Sequence, residues 1–258
     1  MGTNPLTWQA FAQRGRMDAP LIMAHRGSSD ELPENTFAAF KRALEQGADV
    51  LETDIRFTRD DAIVVMHDAT LERTTDRSDP VAQITLAELG RARTRRPNDA
   101  TFSREAPPTL EELLEFTRAG VPLALELKDD RFKNPPEAQA LVNLLEKFNA
   151  IERIVCVSFD LERLQSVKRV EPRLPIGHIT LSRPFPTSPT EFLGPFYPLL
   201  YFNPLYVWWA RRRGKIVCPL DVAPEPRIRF YMWLGVTILL TNHPAVTRRA
   251  VEQARGVG

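Results

Sequence analysis

Residues 21–67 read LIMAHRGSSDELPENTFAAFKRALEQGADVLETDIRFTRDDAIVVMH, and the order of patterns in this stretch decides the fold class. Leu21–His25 is a short apolar run that reads as a strand. Thr36 to Gln46 carries Phe37, Phe40, Ala43 and Leu44 at helical spacing and stops at Gly47, a residue suited to a helix end. Val50–Arg56 and Ile63–His67 are strand-like again, rich in β-branched residues. Strand, helix, strand is the unit of a parallel sheet, because a parallel neighbour is reached only through a connection long enough to hold a helix. Only six residues separate Arg56 from Ile63. That gap is too short for a crossover, so these two runs are expected to pair as an antiparallel hairpin.

The same alternation continues outward. Strands are expected near Pro122–Lys128, Ile154–Ser158, Ile176–Thr180, Leu199–Asn203, Ile216–Leu220 and Ile238–Thr241. Helical patterns cover Thr109–Arg118, Glu137–Phe148 and Leu161–Val170, the first opening on Thr-Leu-Glu-Glu with capping-box spacing. Over 258 residues this predicts an α/β protein, a (β/α)8 TIM barrel, irregular around a short hairpin near residues 50–67. A doubly wound open sheet is the alternative, but no Gly-x-Gly-x-x-Gly turn follows the first strand. Residues 1–19 read as a lead-in segment and 20–258 as one barrel domain. The polar, Arg-rich stretch 72–108 reads as an inserted loop.

Composition narrows the function. The chain is 43% hydrophobic and 26% charged, with 34 Lys+Arg against 33 Asp+Glu and a formal charge of +1. That balance fits a soluble globular protein and excludes broad electrostatic binding of nucleic acid. The opening residues show no secretory pattern, and Leu6 breaks the myristoylation pattern. The apolar runs Pro198–Trp209 and Phe230–Thr241 fall short of a bilayer span. Cys156 and Cys218 have neither zinc-site nor disulfide spacing, so a cytoplasmic setting is expected.

The chemistry collects at strand ends. His25-Arg26-Gly27 ends the first strand and His67-Asp68 the third. In a (β/α)8 barrel the carboxyl ends of the strands converge on the active site. Two imidazoles there suit a general base and a general acid. Glu52 and Asp54 stand two apart and share one face of their strand, as do Glu126 and Lys128. Unpaired carboxylates inside a barrel are costly, so they must meet a cation. Lys128 neutralises one of three, and one divalent cation satisfies the surplus. Oxygen donors suit Mg2+ or Ca2+ rather than zinc. Arg26 can read phosphate oxygens in bidentate fashion. The chain has no Gly-x-Ser-x-Gly elbow and no P-loop, which counts against serine hydrolases and NTPases.

Taken in order, Met23-Ala24-His25-Arg26-Gly27, Leu32-Pro33-Glu34-Asn35-Thr36, Leu51-Glu52-Thr53-Asp54 and Val65-Met66-His67-Asp68 resemble the glycerophosphodiester phosphodiesterase family. Pro108-Thr109-Leu110-Glu111-Glu112, Leu125-Glu126-Leu127-Lys128 and the closing segment through Thr241-Asn242-His243-Pro244 extend the likeness over roughly residues 20–250. The resemblance implies a metal-dependent barrel that hydrolyses glycerophosphodiesters to glycerol 3-phosphate and an alcohol. It implies Glu52, Asp54 and Glu126 as metal ligands, His25 and His67 as the paired catalytic histidines, with which is base and which acid left open, and Arg26 and Lys128 as phosphate contacts. By family analogy a cyclic glycerol phosphate forms and is then hydrolysed with the roles exchanged. Glu34 and Asn35 either start the following helix or contact the ligand.

Two stretches depart from that family's pattern. Cys218-Pro219-Leu220-Asp221-Val222 stands where a Trp-Thr-Val-Asn stretch is common, and Thr241-Asn242 where Thr-Asp is usual. Headgroup choice is therefore open. Aromatics crowd Tyr197–Trp209 ahead of Arg211, Arg212 and Arg213. Packing against the barrel is favoured there over contact with a membrane surface. The rival readings are a lysophospholipase D or sphingomyelinase D-like barrel, which shares the two-histidine core, and a non-catalytic phosphodiester-binding barrel.

Overall fold

The barrel strands run parallel because in most cases a helix carries the chain back between one and the next; residues 181–191 make the return without one. The computed structural model describes Trp8 and residues 19–97, 99–118 and 120–256. In chain order its elements are β1 (Leu21–His25), α1 (Phe37–Glu45), β2 (Val50–Phe57), β3 (Ile63–Val65), α2 (Leu86–Leu89) and α3 (Leu110–Phe116). There follow β4 (Leu123–Leu127), α4 (Pro135–Lys147), β5 (Ile154–Ser158), α5 (Leu161–Val170), β6 (Ile176–Thr180) and β7 (Phe192–Pro195). The last are α6 (Pro198–Phe202), α7 (Leu205–Arg212), β8 (Ile216–Val217), α8 (Ile228–Leu234), β9 (Ile238–Thr241) and α9 (Pro244–Ala254).

Eight parallel strands pair in the order β8-β7-β6-β5-β4-β2-β1-β9. The two ends of that path nearly close on each other: the Thr237 N–H donates to Val217 O at 3.2 Å, and the Asn242 N–H to Val222 O at 2.9 Å. The expected TIM barrel is present. Its irregularity is the expected hairpin, in which β3 leaves the ring and pairs antiparallel with β2, Ile55 opposite Val65 and Phe57 opposite Ile63.

Strand alternation sorts the side chains. Leu21, Met23, Val50, Ala124, Val155, Val157, Phe192, Ile216, Cys218, Ile238 and Leu240 form the cluster inside the barrel. The alternate residues, among them Leu51, Ile55, Leu123, Leu125 and Leu127, pack outward against the helices. Thr36 caps α1, its hydroxyl accepting from the Ala39 N–H, and the Thr109–Glu112 capping box opens α3. Cys156 and Cys218 are free and buried. Segment 72–108 carries α2 and a small core of Val81, Ile84, Leu89 and Ala92 against Val64, Met66 and Leu71.

One expected strand is in the wrong place. Leu199–Asn203 belongs to α6 and its C-terminal cap, and the sixth barrel strand is Phe192–Pro195. Pro198 starts the helix by supplying a preset φ at its first turn, which an apolar run of five residues does not reveal. Gly194 and Pro195 hid the true strand, since both normally punctuate loops. The crowded Tyr197–Trp209 stretch is thus two helices, with Tyr206 and Val207 buried and Tyr201, Phe202, Leu205 and Trp208 exposed.

The lead-in segment expected over residues 1–19 lies outside the described residues except for Trp8 and Ala19. Trp8 is 1% exposed and belongs to the cluster inside the barrel, 6.3 Å from the Phe192 ring. Trp8→Ala should therefore destabilise the protein by about 3–5 kcal/mol, read from denaturant midpoints. An unchanged midpoint would show that the indole does not fill the barrel.

Candidate active site

The acidic cluster arises from two neighbouring strands in register. Asp54 on β2 lies beside Glu126 on β4, and Glu52 on β2 lies beside His25 on β1. Inward alternation brings ligand oxygens of Glu52, Asp54 and Glu126 within 4.8 Å of one another, all three residues buried. Two cations from the same strand ends stand against them. Lys128 Nζ is 2.7 Å from Glu126 and 3.3 Å from Asp54, and Arg26 Nε is 3.1 Å from Asp54.

Arg26 is aimed by its backbone. Arg26 and Gly27 both adopt positive φ, 60° and 84°, turning the chain sharply off β1. A Cβ on Gly27 would lie 2.6 Å from the Ala39 backbone, so the tight turn needs glycine there. In this turn the Arg26 N–H donates to Glu52 Oε2 at 3.2 Å, while its guanidinium also reaches Glu34 at 3.0 Å.

Glu34 and Asn35, ambiguous in sequence, belong to the site. Thr36 alone caps the helix, whereas Asn35 Nδ2 donates to Asp54 Oδ2 at 3.1 Å and its Oδ1 accepts from Thr53 Oγ1 at 2.7 Å. Glu34 also takes a bidentate pair from Arg73 at 2.8 and 2.7 Å. Arg73 in turn holds Asp68 at 2.5 Å, and Asp68 lies 2.5 Å from His67 Nδ1. His25 has a different partner: its Nδ1 is 2.7 Å from Asn242 Oδ1, just past β9. Arg73 and Asn242 are the site residues that sequence reasoning missed. Arg73 sat in a stretch read as an inserted loop, and Asn242 was noted only as a departure from a motif.

Ionisation follows from burial and neighbours. Burial and the Asp54 charge push the Glu52 carboxyl well above the usual range, and the same two causes raise Glu126. Burial also opposes ionisation of Asp54, but Arg26 and Lys128 overcome it and hold that carboxyl at about 2. Burial, reinforced by Arg26, pulls His25 down to about 4, and burial lowers His67 as well.

The arrangement fits a divalent cation. Its donors are all oxygen, and Asp54 Oδ1 is buried without a hydrogen bond, its nearest cation being Lys128. With Lys128 and Arg26 alone, the three adjacent carboxylates oppose one another's ionisation, and Glu52 and Glu126 are raised accordingly. A hard cation among them would remove that conflict. Alongside, Met23, Val157, Ile179, Phe192, Gly194 and Leu220 line an apolar cavity that His25, Glu52 and Glu126 also face.

Fold and site together define a TIM barrel with a buried acidic site able to hold a cation. The sequence model of the glycerophosphoryl diester phosphodiesterase family matches residues 25–246, and the chain belongs to that family. It is 33% identical to a glycerophosphodiester phosphodiesterase of Caldanaerobacter subterraneus subsp. tengcongensis, over 87% of this chain and 94% of that protein. Among solved structures it is similar to an Oleispira antarctica phosphodiesterase in complex with the product sn-glycerol-3-phosphate. That likeness has a TM-score of 0.79 at 25% identity and covers 90% of this chain and 97% of the other. The fold also matches a glycerophosphodiester phosphodiesterase from Agrobacterium tumefaciens, TM-score 0.76 at 24% identity, over 88% of this chain and 98% of that one.

Burial and the charge of Asp54 raise the proton affinity of Glu52 and Glu126, so a cation entering this cluster competes with protons there. Because both carboxyls titrate above their ordinary range, protons compete less as pH rises and affinity should increase. Calorimetric titration with Mg2+ or Ca2+ should give at least about tenfold tighter binding at about pH 8 than at about pH 5. Affinity independent of pH would exclude these carboxyls as ligands.

Proposed function

We propose that this chain hydrolyses glycerophosphodiesters to glycerol 3-phosphate and an alcohol, with a divalent cation and two histidines of opposite role. The observation that carries the reading is the gathering of Glu52, Asp54, Glu126, His25 and His67 at one end of the barrel, with the charge of Asp54 felt by both imidazoles. The product bound by the Oleispira relative supports the substrate class.

Glu52, Asp54 and Glu126 would hold the cation, Mg2+ or Ca2+, which when bound supplies Lewis-acid polarisation of a phosphate oxygen and of the glycerol hydroxyl. The partners of the histidines set their roles. His25 Nδ1 donates to the Asn242 amide oxygen, which leaves Nε2 as a proton acceptor, and its depressed pKa keeps the ring neutral at pH 7. His25 therefore takes the proton of the attacking hydroxyl. His67 faces a carboxylate instead, Asp68, itself fixed by Arg73; burial still draws the pKa of His67 below the usual imidazole range, against the charge of Asp54 and the contact with Asp68. With a carboxylate partner where His25 has a neutral amide, His67 is the ring assigned to protonate the departing alcohol oxygen.

Arg26 and Lys128 are fixed by carboxylates before substrate arrives. They need no reorganisation to face the non-bridging oxygens, where negative charge builds in the transition state. Overall, water adds across one P–O bond, and the alcohol leaves with a proton. The two free, buried thiols fit a cytoplasmic setting.

The test is release of glycerol 3-phosphate from a panel of soluble glycerophosphodiesters with Mg2+ or Ca2+ present. His25→Ala and His67→Ala should each lower kcat at least about 100-fold with melting temperature preserved. Chelation should abolish turnover, and added cation should restore it. Full-rate activity in His25→Ala would remove that residue from the chemistry.

A further inference from the structure

Helices α6, α7 and α8 cover the outer wall of the barrel with one face and carry apolar groups on the other as well. Tyr206 and Val207 of α7 and Tyr231 of α8 share one core with Leu193, Val217 and Leu239, the outward-facing residues of β7, β8 and β9. Packing on the barrel accounts for that face. The opposite face of a surface helix is ordinarily polar. Here it is not. Leu205 and Trp208 stand one turn apart on the outside of α7, Phe202 at the end of α6 is 84% exposed, and Trp233 of α8 is 72% exposed.

Stacking joins these groups into one surface. The Tyr201 ring of α6 lies on Phe230 of α8, with 4.6 Å between centres and 10° between planes, and Phe230 lies 6.1 Å from Trp233. Apolar groups scattered singly over a surface need no explanation, whereas a contiguous exposed patch marks a contact surface.

The free charges at this patch are of one sign. Between Glu191 and Asp221 the chain has no acidic residue. Asp221 is held by Arg227 and Tyr231, and Glu225 by Thr241 and Thr247. Arg211, Arg212, Arg213 and Arg229 are exposed, and among the described residues none of the four forms an ion pair. They are set among the aromatic rings. The Arg212 guanidinium lies 4.3 Å from the centre of the Trp208 ring, and that of Arg211 lies against Gly235 at the end of α8.

Protruding aromatic rings with unpaired guanidinium groups beside them match an anionic lipid interface, where rings settle at headgroup level and arginines meet phosphates. A second copy of the chain fits this face poorly, because it would set four arginines against four more. A protein partner would need pockets for side chains that stand out as far as Phe202 and Trp233, whereas a fluid lipid surface closes around them. We propose that the α6–α8 face docks on the surface of an anionic bilayer, with Phe202, Trp208 and Trp233 entering the interface and the four arginines on the lipid phosphates. No described helix is long and apolar enough to cross a membrane, and the contact is with the surface alone. This inference does not depend on the phosphodiesterase reading.

The experiment is flotation of the full chain with vesicles of phosphatidylcholine alone, or of phosphatidylcholine with about 30% phosphatidylglycerol, at about 0.1 M salt. Binding to the anionic vesicles should be at least about tenfold tighter than to the neutral ones. The double variants Phe202→Ser/Trp233→Ser and Arg212→Gln/Arg229→Gln should each weaken it at least about tenfold. Both pairs change exposed side chains, and melting temperatures check that the fold is kept. Equal binding to the two vesicles would overturn the proposal, as would anionic binding that survives both double variants at full strength. Absence of binding to either vesicle would also overturn it. Sedimentation velocity then identifies a second copy as the occupant if a dimer forms that Phe202→Ser/Trp233→Ser dissociates.

Discussion

Three carboxylates are buried within reach of one another inside a barrel, and the rest of the site is arranged around that constraint. Burying one unpaired carboxylate is expensive, and three side by side cannot be tolerated without positive charge. Lys128 and Arg26 provide part of it from the same strand ends, and Asn35 adds a hydrogen bond to Asp54. The backbone yields to this need: Arg26 and Asn35 both sit at positive φ, a conformation residues with side chains adopt rarely. The remaining deficit of charge is what makes the cluster a place for a hard cation.

Around this centre runs a chain of charge-assisted contacts, from Asp54 through Arg26, Glu34, Arg73 and Asp68 to His67. It ties the segment after β3 to the turn after β1, so the loop that sequence reading set aside as an insertion orients one of the two imidazoles. The other imidazole is held from across the β1–β9 seam by a neutral amide. The two rings thus have unequal partners, a carboxylate for His67 and a neutral amide for His25.

Much of this was legible in the linear order of residues. The six-residue gap between Arg56 and Ile63 required a hairpin, and Thr109 with Glu112 announced the cap of α3. The two-residue spacing of Glu52 and Asp54, and of Glu126 and Lys128, placed four side chains on inward faces once strands were assumed. Local rules sufficed because each concerns neighbours a few residues apart. They failed at Phe192–Pro195, where Gly194 and Pro195 look like a loop; the ladders from β6 and β8 and the barrel around it make that segment a strand. They failed too at Leu199–Asn203, where an apolar run fits strand or helix equally well.

The sequence by itself determined the alternation of strands and helices, the parity that points acids and histidines inward, and the glycine turn that frees Arg26. It did so because backbone sterics and side-chain periodicity act over short separations. Only the tertiary structure decided which groups meet. His25 and Asn242 are 217 residues apart and Arg73 and Glu34 are 39 apart, yet closure of the barrel and docking of the loop bring each pair into hydrogen-bond contact.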